Sequence, residues 1–235
     1  MRCHVRLFLS SWRMRCEGLL LLVTLSFCLG EIAPPPAAQC GAGPDKANTS
    51  LPQYLIIGDS ISIGYSPYLI KNLTGKYEAQ HVHTNADNSD KGKECLSVWL
   101  GEHKWDLISY NFGLHDIAND TEHLSIDVYS ENMENITSRL VATKAKVLWV
   151  NTTPVPNVTV SPGRSDADVV KYNAAAAVIA KKHDVPIDDL HGWVIAKCGE
   201  HYKTCPGIQR PANVHYEPAG YEYLVQSLVT AIEKL

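Results

Sequence analysis

A serine and a histidine 155 residues apart are the residues best suited to chemistry in this sequence. Ser60 follows the apolar run Leu55-Ile56-Ile57 and precedes a helical pattern, which predicts a sharp turn from a strand into a helix. The free backbone N–H groups and the dipole at a helix N-terminus favour negative charge. A serine hydroxyl placed there becomes an acylated nucleophile when a base reaches it. His215 is the candidate base, and the pair predicts a serine esterase.

Strand-like and helix-like segments alternate along the chain and must position these two residues. Apolar runs predict strands at residues 54–58, 77–83, 105–111, 146–150 and 185–188, and helical spacing predicts helices at 60–72, 95–100, 125–143, 166–183 and 218–235. Such alternation is typical of a parallel sheet covered on both faces. Ligands bind at the carboxyl ends of the strands in these sheets. Ser60 and the segment after Asn111 both follow such ends.

Three motifs carry a resemblance to a known family. They are Gly58-Asp59-Ser60, the mid-chain Asn111-Phe-Gly-Leu-His-Asp116, and Val214-His-Tyr-Glu-Pro-Ala-Gly-Tyr221 near the C-terminus. In this order and spacing they resemble the SGNH/GDSL hydrolase superfamily, over roughly residues 53–235. The phrases Thr152-Thr-Pro-Val-Pro and Tyr172-Asn173 are similar to one of its subfamilies. The resemblance implies a three-layer α/β/α, flavodoxin-like domain with an open active site and no metal or organic cofactor.

The resemblance also implies roles for individual residues. Ser60 is the nucleophile and His215 the general base, which later returns the proton to the leaving alcohol. The oxyanion is held by three groups. They are the Ser60 backbone N–H, a backbone N–H of a second family motif between Ser60 and Asn111, and a side chain of the mid-chain motif Asn111–Asp116, which is the family's third motif. The third motif usually has an asparagine where this chain has His115, and a neutral imidazole can also donate one N–H. The second motif usually has a glycine, and counting places Asp87 there, with Gly92 as the alternative.

The acid of the usual triad is missing from its usual place. The family keeps an aspartate three residues before the histidine, and this chain has Ala212 there, followed by Asn213. Some superfamily members orient the histidine with a main-chain carbonyl instead, which gives a Ser–His dyad. Losing the orienting carboxylate costs orders of magnitude in rate.

Residues 1–30 predict a signal peptide, because a basic segment with four arginines precedes an apolar run at residues 18–29. That run is too short to span a bilayer comfortably. Residues 31–50, rich in Pro, Ala and Gly, predict a flexible lead-in, and residues 51–235 predict a single hydrolase domain. Removing residues 1–30 lowers Lys+Arg from 21 to 17 and Asp+Glu from 25 to 24, so the net charge moves from −4 to −7. A mildly acidic chain binds nucleic acid poorly.

Cysteines and glycosylation sequons both indicate the secretory pathway. Four cysteines remain after the signal, and three pairings are open; we favour Cys198–Cys205 and Cys40–Cys95. A zinc site is disfavoured, because neither Cys-x-x-Cys nor His-x-x-x-His spacing occurs. The acceptor pattern Asn-x-Ser/Thr occurs at Asn48, Asn72, Asn119, Asn135, Asn151 and Asn157. Asn151 ends a predicted buried strand, so we do not expect every sequon to be occupied.

The sequence therefore predicts a secreted, N-glycosylated esterase of the SGNH type that removes a small acyl group, such as acetyl, from an ester or an acylated carbohydrate. The competing hypothesis is an extracellular binding protein that has kept the fold and lost turnover. The altered positions Asp87, His115 and Ala212 are what favour the second hypothesis.

Overall fold

Five parallel strands form the central sheet of this chain, and helices cover both of its faces. The structure is a computed structural model that describes residues 37–235. The predicted signal peptide and the first part of the predicted lead-in lie outside the described residues. No helix within residues 37–235 is long and apolar enough to cross a membrane.

The elements alternate along the chain much as the hydrophobic pattern predicts. The strands are β1 Gln53–Ile57, β2 Glu78–His81, β3 Leu107–Tyr110, β4 Lys146–Val150 and β5 Ile187–Asp188. The helices are α1 Ala37–Cys40, α2 Ser60–Asn72, α3 Ser89–Leu100, α4 Ile126–Ala142, α5 Asp166–Lys182, α6 Leu190–Cys198 and α7 Pro218–Ile232.

The strand order is β2-β1-β3-β4-β5, and every neighbouring pair is parallel. All residues of β1 and β3 are buried, as expected for strands covered on both faces. Helix α2 packs against α7, whereas α3 packs against α4 and α4 against α5, which gives the two helical layers. The fold is thus the predicted three-layer α/β/α arrangement of flavodoxin-like order. Its strand order changes direction between β1 and β3, and such switch points are where open α/β sheets bind ligands.

Helices α3 and α6 differ from the sequence prediction: α6 is not among the predicted helices, and α3 begins at Ser89 and not at Cys95. The Asn88 side chain caps it by accepting the Lys91 backbone N–H at 3.1 Å. The Asp116 carboxylate also accepts the Ser89 backbone N–H at 2.9 Å. The first turn is therefore held by a residue 27 positions away, which the local pattern of polar residues does not reveal.

The later part of the predicted lead-in is anchored to the domain. Cys40 is fully buried, and its carbonyl accepts the indole N–H of Trp99 at 2.7 Å. Farther on, the Glu78 carboxylate accepts the backbone N–H groups of Asn48 and Thr49. These contacts order a segment whose composition is that of a flexible linker.

The structure contains the two favoured disulfides. Cys40 and Cys95 join the start of the described chain to α3, with their Cα atoms 5.2 Å apart. Cys198 and Cys205 close a short loop after α6, with Cα atoms 5.4 Å apart. Both Cα distances lie in the usual range for a disulfide.

Removing each disulfide as a pair of alanines is expected to cost different amounts of stability. The Cys40–Cys95 bridge spans 55 residues and the Cys198–Cys205 bridge spans 7. Loop-closure entropy gives about 4 kcal/mol for the first and about 2.5 kcal/mol for the second. Urea unfolding of the two double variants measures the difference. An equal loss in both variants would contradict the entropic argument.

Candidate active site

The turn between β1 and α2 places Ser60 at the first position of a helix. Asp59 has an extended backbone, with φ −88°, and its carboxylate caps the helix by accepting the Ile61 N–H at 2.9 Å. The Asp59 carbonyl accepts the Ser62 hydroxyl at 2.7 Å. A Cβ at Gly58 would lie 2.7 Å from the Ser62 hydroxyl oxygen, so the turn requires glycine there. No hydrogen bond within residues 37–235 uses the Ser60 backbone N–H, which leaves it available to an oxyanion.

The predicted nucleophile and base lie in hydrogen-bond contact. The His215 Nε2 atom is 2.8 Å from the Ser60 hydroxyl oxygen. His215 belongs to the loop between α6 and α7, so this contact joins the two ends of the domain. The distance is within the range expected between an activated serine and its base.

Asn213 orients the histidine in place of the missing aspartate. Its side-chain oxygen Oδ1 accepts the backbone N–H of His215 at 2.9 Å and lies 2.7 Å from His215 Nδ1. The backbone N–H is always a donor, so the Asn213 oxygen must face the histidine. An acceptor at Nδ1 requires the proton on that nitrogen. Nε2 therefore carries the lone pair that faces the Ser60 hydroxyl, which is the tautomer a general base needs.

Ala212 occupies the usual position of the acid and adopts φ 48°, in the left-handed region. Such a conformation is uncommon for alanine. The sequence prediction that no carboxylate lies at this position stands. However, the third group is the Asn213 side chain rather than the main-chain carbonyl that the resemblance suggested.

Burial shapes the electrostatics of the nucleophile and base. Partial burial lowers the pKa of His215 below its usual value, while the nearby Asp59 carboxylate acts in the opposite direction. Burial also raises the pKa of Asp59. A lowered pKa keeps His215 neutral near pH 7, so its Nε2 lone pair is available to take a proton.

The His215 loop is held in place by the segment before it and by helix α7 after it. The Gln209 side chain donates to the Val214 carbonyl at 3.1 Å, and the Arg210 N–H donates to the His215 carbonyl at 3.0 Å. A Cβ at Gly220 would lie 2.0 Å from the Ile208 carbonyl oxygen, so a larger residue would push α7 away from this loop. The glycine of the C-terminal motif therefore sets how closely the loop approaches α7.

His115 lies in the loop after β3, and its Nδ1 contacts the Glu122 carboxylate. His115 is also one of the groups that lower the pKa of Asp59 and of His215. Glu122 belongs to none of the family motifs. A comparison of motifs therefore does not identify it.

The predicted second oxyanion residue, Asp87, has a different local role in this structure. Its backbone N–H donates to the Asn85 side chain at 3.0 Å, and its carboxylate pairs with the Lys91 ammonium at 2.6 Å. Asp87 adopts φ 51°, which is tolerated better by aspartate than by most other residues. Its N–H is thus already engaged, and its oxyanion role stays a prediction that this geometry does not favour.

Gly92, the alternative, also has its backbone N–H engaged, and this geometry does not favour it as an oxyanion donor. It lies inside α3, where its N–H donates to the Asn88 carbonyl at 3.1 Å. A Cβ there would lie 2.4 Å from the ring of Phe112, so glycine lets α3 approach the third motif. Its role is close packing.

Asp87, His115 and Glu122 form the one cluster in residues 37–235 whose ligand atoms lie close enough together, within 4.8 Å, to be considered for a metal ion. Lys91 already pairs with Asp87, and Glu122 already contacts His115. Charge pairing accounts for all three side chains, so we assign no cation to them.

The residues of the subfamily phrases support the third motif. Gly113 has φ 147°, and a Cβ there would lie 2.3 Å from the Thr152 hydroxyl oxygen. That hydroxyl donates to the Phe112 carbonyl at 3.1 Å. Thr152 is in turn fixed by Asn173, whose amide exchanges two hydrogen bonds with the Thr152 backbone. These residues position the loop that carries His115 rather than acting on a substrate.

A second serine–histidine pair begins two residues after Ser60. Ser62 and His81 are 2.7 Å apart, and His81 Nδ1 lies 2.7 Å from the Val82 carbonyl. Burial lowers the pKa of His81 to about 4. Ser62 is only 1% exposed, so no substrate reaches it. This pair stabilises the turn that presents Ser60.

A groove of about 830 Å³ is lined by Arg164 among other residues. The guanidinium of Arg164 donates to the Leu114 carbonyl at 2.6 Å, next to His115. Its charge also acts on His215. Arg164 therefore links this groove to the loop that carries His115.

The two residues that motif comparison missed, Asn213 and Glu122, differ in how visible they are. Asparagine side chains commonly accept a backbone N–H two residues further on, so the Asn213-x-His215 spacing held a signal. Glu122 reaches His115 across an irregular loop, where side-chain spacing has no periodicity.

Comparison with solved structures gives the same fold. An acetyl xylan esterase, AlAXEase, is 16% identical with a TM-score of 0.62, over 77% of this chain and 99% of that one. A lipase/acylhydrolase from Enterococcus faecalis is 18% identical with a TM-score of 0.64, over 78% and 96%. An acetyl-xylooligosaccharide esterase from a Geobacillus species is 16% identical with a TM-score of 0.64, over 77% and 94%.

No curated protein matches the chain in a sequence search. The family model of the GDSL-like lipase/acylhydrolase family matches residues 56–223. That match extends from the end of β1, next to the Ser60 turn, past His215 and into α7. The match and the geometry together lead to one conclusion: this chain belongs to the GDSL-like lipase/acylhydrolase family.

Proposed function

We propose that this protein is a secreted serine esterase that removes a small acyl group, such as acetyl, from an alcohol or a carbohydrate. The single observation that carries the proposal is the 2.8 Å contact between the Ser60 hydroxyl and a His215 ring held in the basic tautomer. Family membership supports hydrolysis of this type. The acyl group and the carbohydrate rest on two of the structural neighbours, which are acetyl esterases of xylan or its oligosaccharides.

The reaction follows from this geometry. The Ser60 oxygen attacks the ester carbonyl as its proton passes to His215 Nε2. The bond from the carbonyl carbon to the leaving oxygen then breaks, and His215 protonates the alcohol. A water molecule, deprotonated by the same nitrogen, attacks the acyl-enzyme and releases the acid. The Ser60 backbone N–H donates to the developing oxyanion, and we assign the second donor to the His115 side chain from its place in the family motif.

The competing proposal is a binding protein of the same fold without turnover. The observation that favours it is the neutral amide of Asn213, because an amide stabilises the imidazolium of His215 less than a carboxylate would. The esterase proposal requires a covalent acyl-enzyme on Ser60, and the binding-protein proposal requires that none forms.

Replacing Ser60 or His215 with alanine should abolish turnover. Mature protein is treated with a fluorophosphonate probe and with p-nitrophenyl acetate, and we expect hydrolysis to fall by roughly 10³-fold or more in Ser60→Ala and in His215→Ala. Probe labelling should vanish in Ser60→Ala.

Ser66→Ala and His183→Ala serve as matched controls. The Ser66 hydroxyl is buried six residues further along α2 and donates to the Ser62 carbonyl. His183 pairs with Glu134 at the surface. Both controls should keep labelling and hydrolysis. A wild type that is indistinguishable from Ser60→Ala would favour the binding protein.

Placing a carboxylate at position 213 should increase activity. In Asn213→Asp both acceptor contacts to His215 are retained, and the added negative charge stabilises the imidazolium formed during attack. We expect kcat/KM to rise roughly tenfold or more. Since the pKa of His215 is lowered in the wild type, kcat/KM should rise with pH through a value below the usual histidine range. The carboxylate should move this acid limb to higher pH.

Asn213→Ala is the matched control and should lower kcat/KM while leaving Ser60 in place. The pH profiles of all three proteins with p-nitrophenyl acetate separate the cases. An unchanged acid limb in Asn213→Asp would mean that the Asn213–His215 contact does not orient the base during turnover.

Glycans are expected at the exposed sequons and not at Asn151. Five sequon asparagines are exposed, namely Asn48, Asn72, Asn119, Asn135 and Asn157. Asn151 is buried, donates to the Asp189 carboxylate at 2.6 Å and accepts the His191 N–H at 2.9 Å. A glycan there would prevent these contacts, so folded molecules should lack it.

Expression of residues 1–235 in a secreting eukaryotic host tests secretion and glycosylation together. Peptide mapping after enzymatic deglycosylation identifies each modified asparagine. Protein retained in the cytosol without glycans would contradict the proposed location, and a glycan at Asn151 in folded protein would contradict the structural argument.

A further inference from the structure

The oxyanion donor nearest to the nucleophile is the Ser60 backbone N–H, which belongs to the peptide unit that joins Asp59 to Ser60. This peptide bond is trans, so its carbonyl and its N–H point in opposite directions within one plane. A group that holds the Asp59 carbonyl therefore also sets the direction of the Ser60 N–H.

Two donors reach the Asp59 carbonyl from the first turn of α2. The Ser62 hydroxyl donates to it at 2.7 Å, and the Ile63 backbone N–H donates at 3.0 Å. The Ile63 bond is the ordinary bond of an α-helix, because it joins residues four apart. The Ser62 bond is an addition from a side chain, so it is the part of this arrangement that a substitution can remove.

The contact between Ser62 and the Asp59 carbonyl is enclosed by protein. Both residues are only 1% exposed. A Cβ at Gly58 would lie 2.7 Å from the Ser62 hydroxyl oxygen, so the glycine of the Gly58-Asp59-Ser60 motif leaves the space that this oxygen occupies. A hydrogen bond in such a site is stronger than in water, and solvent does not replace the hydroxyl when it is removed.

We infer that Ser62 is a positioning residue of the oxyanion site: its hydroxyl holds and polarises the Asp59–Ser60 peptide, so that the Ser60 N–H stays directed at the oxyanion and donates to it more strongly. This inference rests on the proposed function. Hydrogen bonds in series strengthen one another by about 10–30% per bond. The gain matters in this chain because the backbone N–H of Asp87, the predicted second donor, is already engaged.

Replacing Ser62 tests the inference through the rate of hydrolysis. Removing an oxyanion donor outright typically costs about 10²- to 10³-fold, so removing the group behind the donor should cost less. We expect Ser62→Ala to lower kcat/KM for p-nitrophenyl acetate roughly tenfold. Ser62→Cys, which fills the space but donates weakly, should be about as slow, so the loss would not come from a cavity.

Ser66→Ala is the matched control for Ser62→Ala. It removes a hydroxyl from the same buried side of α2, and that hydroxyl also donates to a backbone carbonyl. The carbonyl belongs to Ser62, however, and not to the Asp59–Ser60 peptide. Its kcat/KM should stay within about twofold of the wild type. Urea unfolding of each variant shows that the rates are compared on folded protein.

The Ser60 amide proton gives a readout that a merely structural role would not move. Ethylboronic acid forms a tetrahedral adduct on the Ser60 oxygen, and one oxygen of the adduct takes the place of the oxyanion. In ¹⁵N-labelled protein the adduct should move the Ser60 amide proton downfield, and Ser62→Ala should reduce that shift. The dissociation constant of the adduct should rise by roughly the factor by which kcat/KM falls, because both report binding of the transition state.

His81 is the other group that could accept the Ser62 proton, since its Nε2 lies 2.7 Å from the hydroxyl oxygen. His81→Phe removes this acceptor. We expect the Ser60 amide shift in the adduct to be the same in His81→Phe as in the wild type, because the hydroxyl already donates to the carbonyl. A larger downfield shift in His81→Phe would mean that the wild-type proton lies towards His81, and would overturn the inference. This comparison does not depend on whether Ser62→Ala folds.

The other outcomes separate the inference from the proposed function. An unchanged kcat/KM in Ser62→Ala, an equal loss in Ser66→Ala, or an amide shift that Ser62→Ala leaves in place would each overturn the inference while Ser60-dependent hydrolysis continued. Hydrolysis that is unaffected by Ser60→Ala would overturn the proposed function, and the inference with it.

Discussion

The end of β1 is the constraint on which this structure depends, since hydrogen bonds reach it from both sides. The Ile57 carbonyl accepts the Asn111 N–H at 3.0 Å, which ties the loop after β3 to it. The Gly58 carbonyl accepts the Ala86 N–H at 3.1 Å, which ties the loop after β2 to it. The loops after β1, β2 and β3 therefore meet because these strands are parallel and in register, and a shift in the β1–β3 pairing would move the loop that carries His115 relative to Ser60. Only His215 arrives by a route other than the sheet.

Side chains from neighbouring positions take over the tasks of the residues that this chain lacks. Asn213 stands one residue after the usual acid and still reaches His215 Nδ1, because the left-handed backbone of Ala212 and the short asparagine turn bring it round. His115 replaces an amide and is supported by Glu122. A motif compares residue types at single positions. Function depends on which atoms lie around the reacting pair, and a neighbouring residue can supply them.

The sequence predicts the fold well, because strand burial and helix periodicity are local signals. The bounds of α2 and β4 match the predictions at both ends. The start of α3 does not, since its first turn depends on Asp116 from another segment. Ser60 and His215 are visible in the sequence because family motifs surround them. Glu122 is not visible, because a contact across an irregular loop leaves no spacing to detect, and Gly92 shows that a glycine near the right place can serve packing alone.

The two histidines of the site show how the partner of a ring decides its chemistry. His215 faces the neutral oxygen of Asn213 and is partly buried, so its pKa is lowered and it can accept a proton from Ser60. His115 Nδ1 faces the Glu122 carboxylate instead. Both partners accept a hydrogen bond, so each ring carries a proton on Nδ1. What distinguishes the two rings is the group at Nε2, which for His215 is the Ser60 hydroxyl at 2.8 Å.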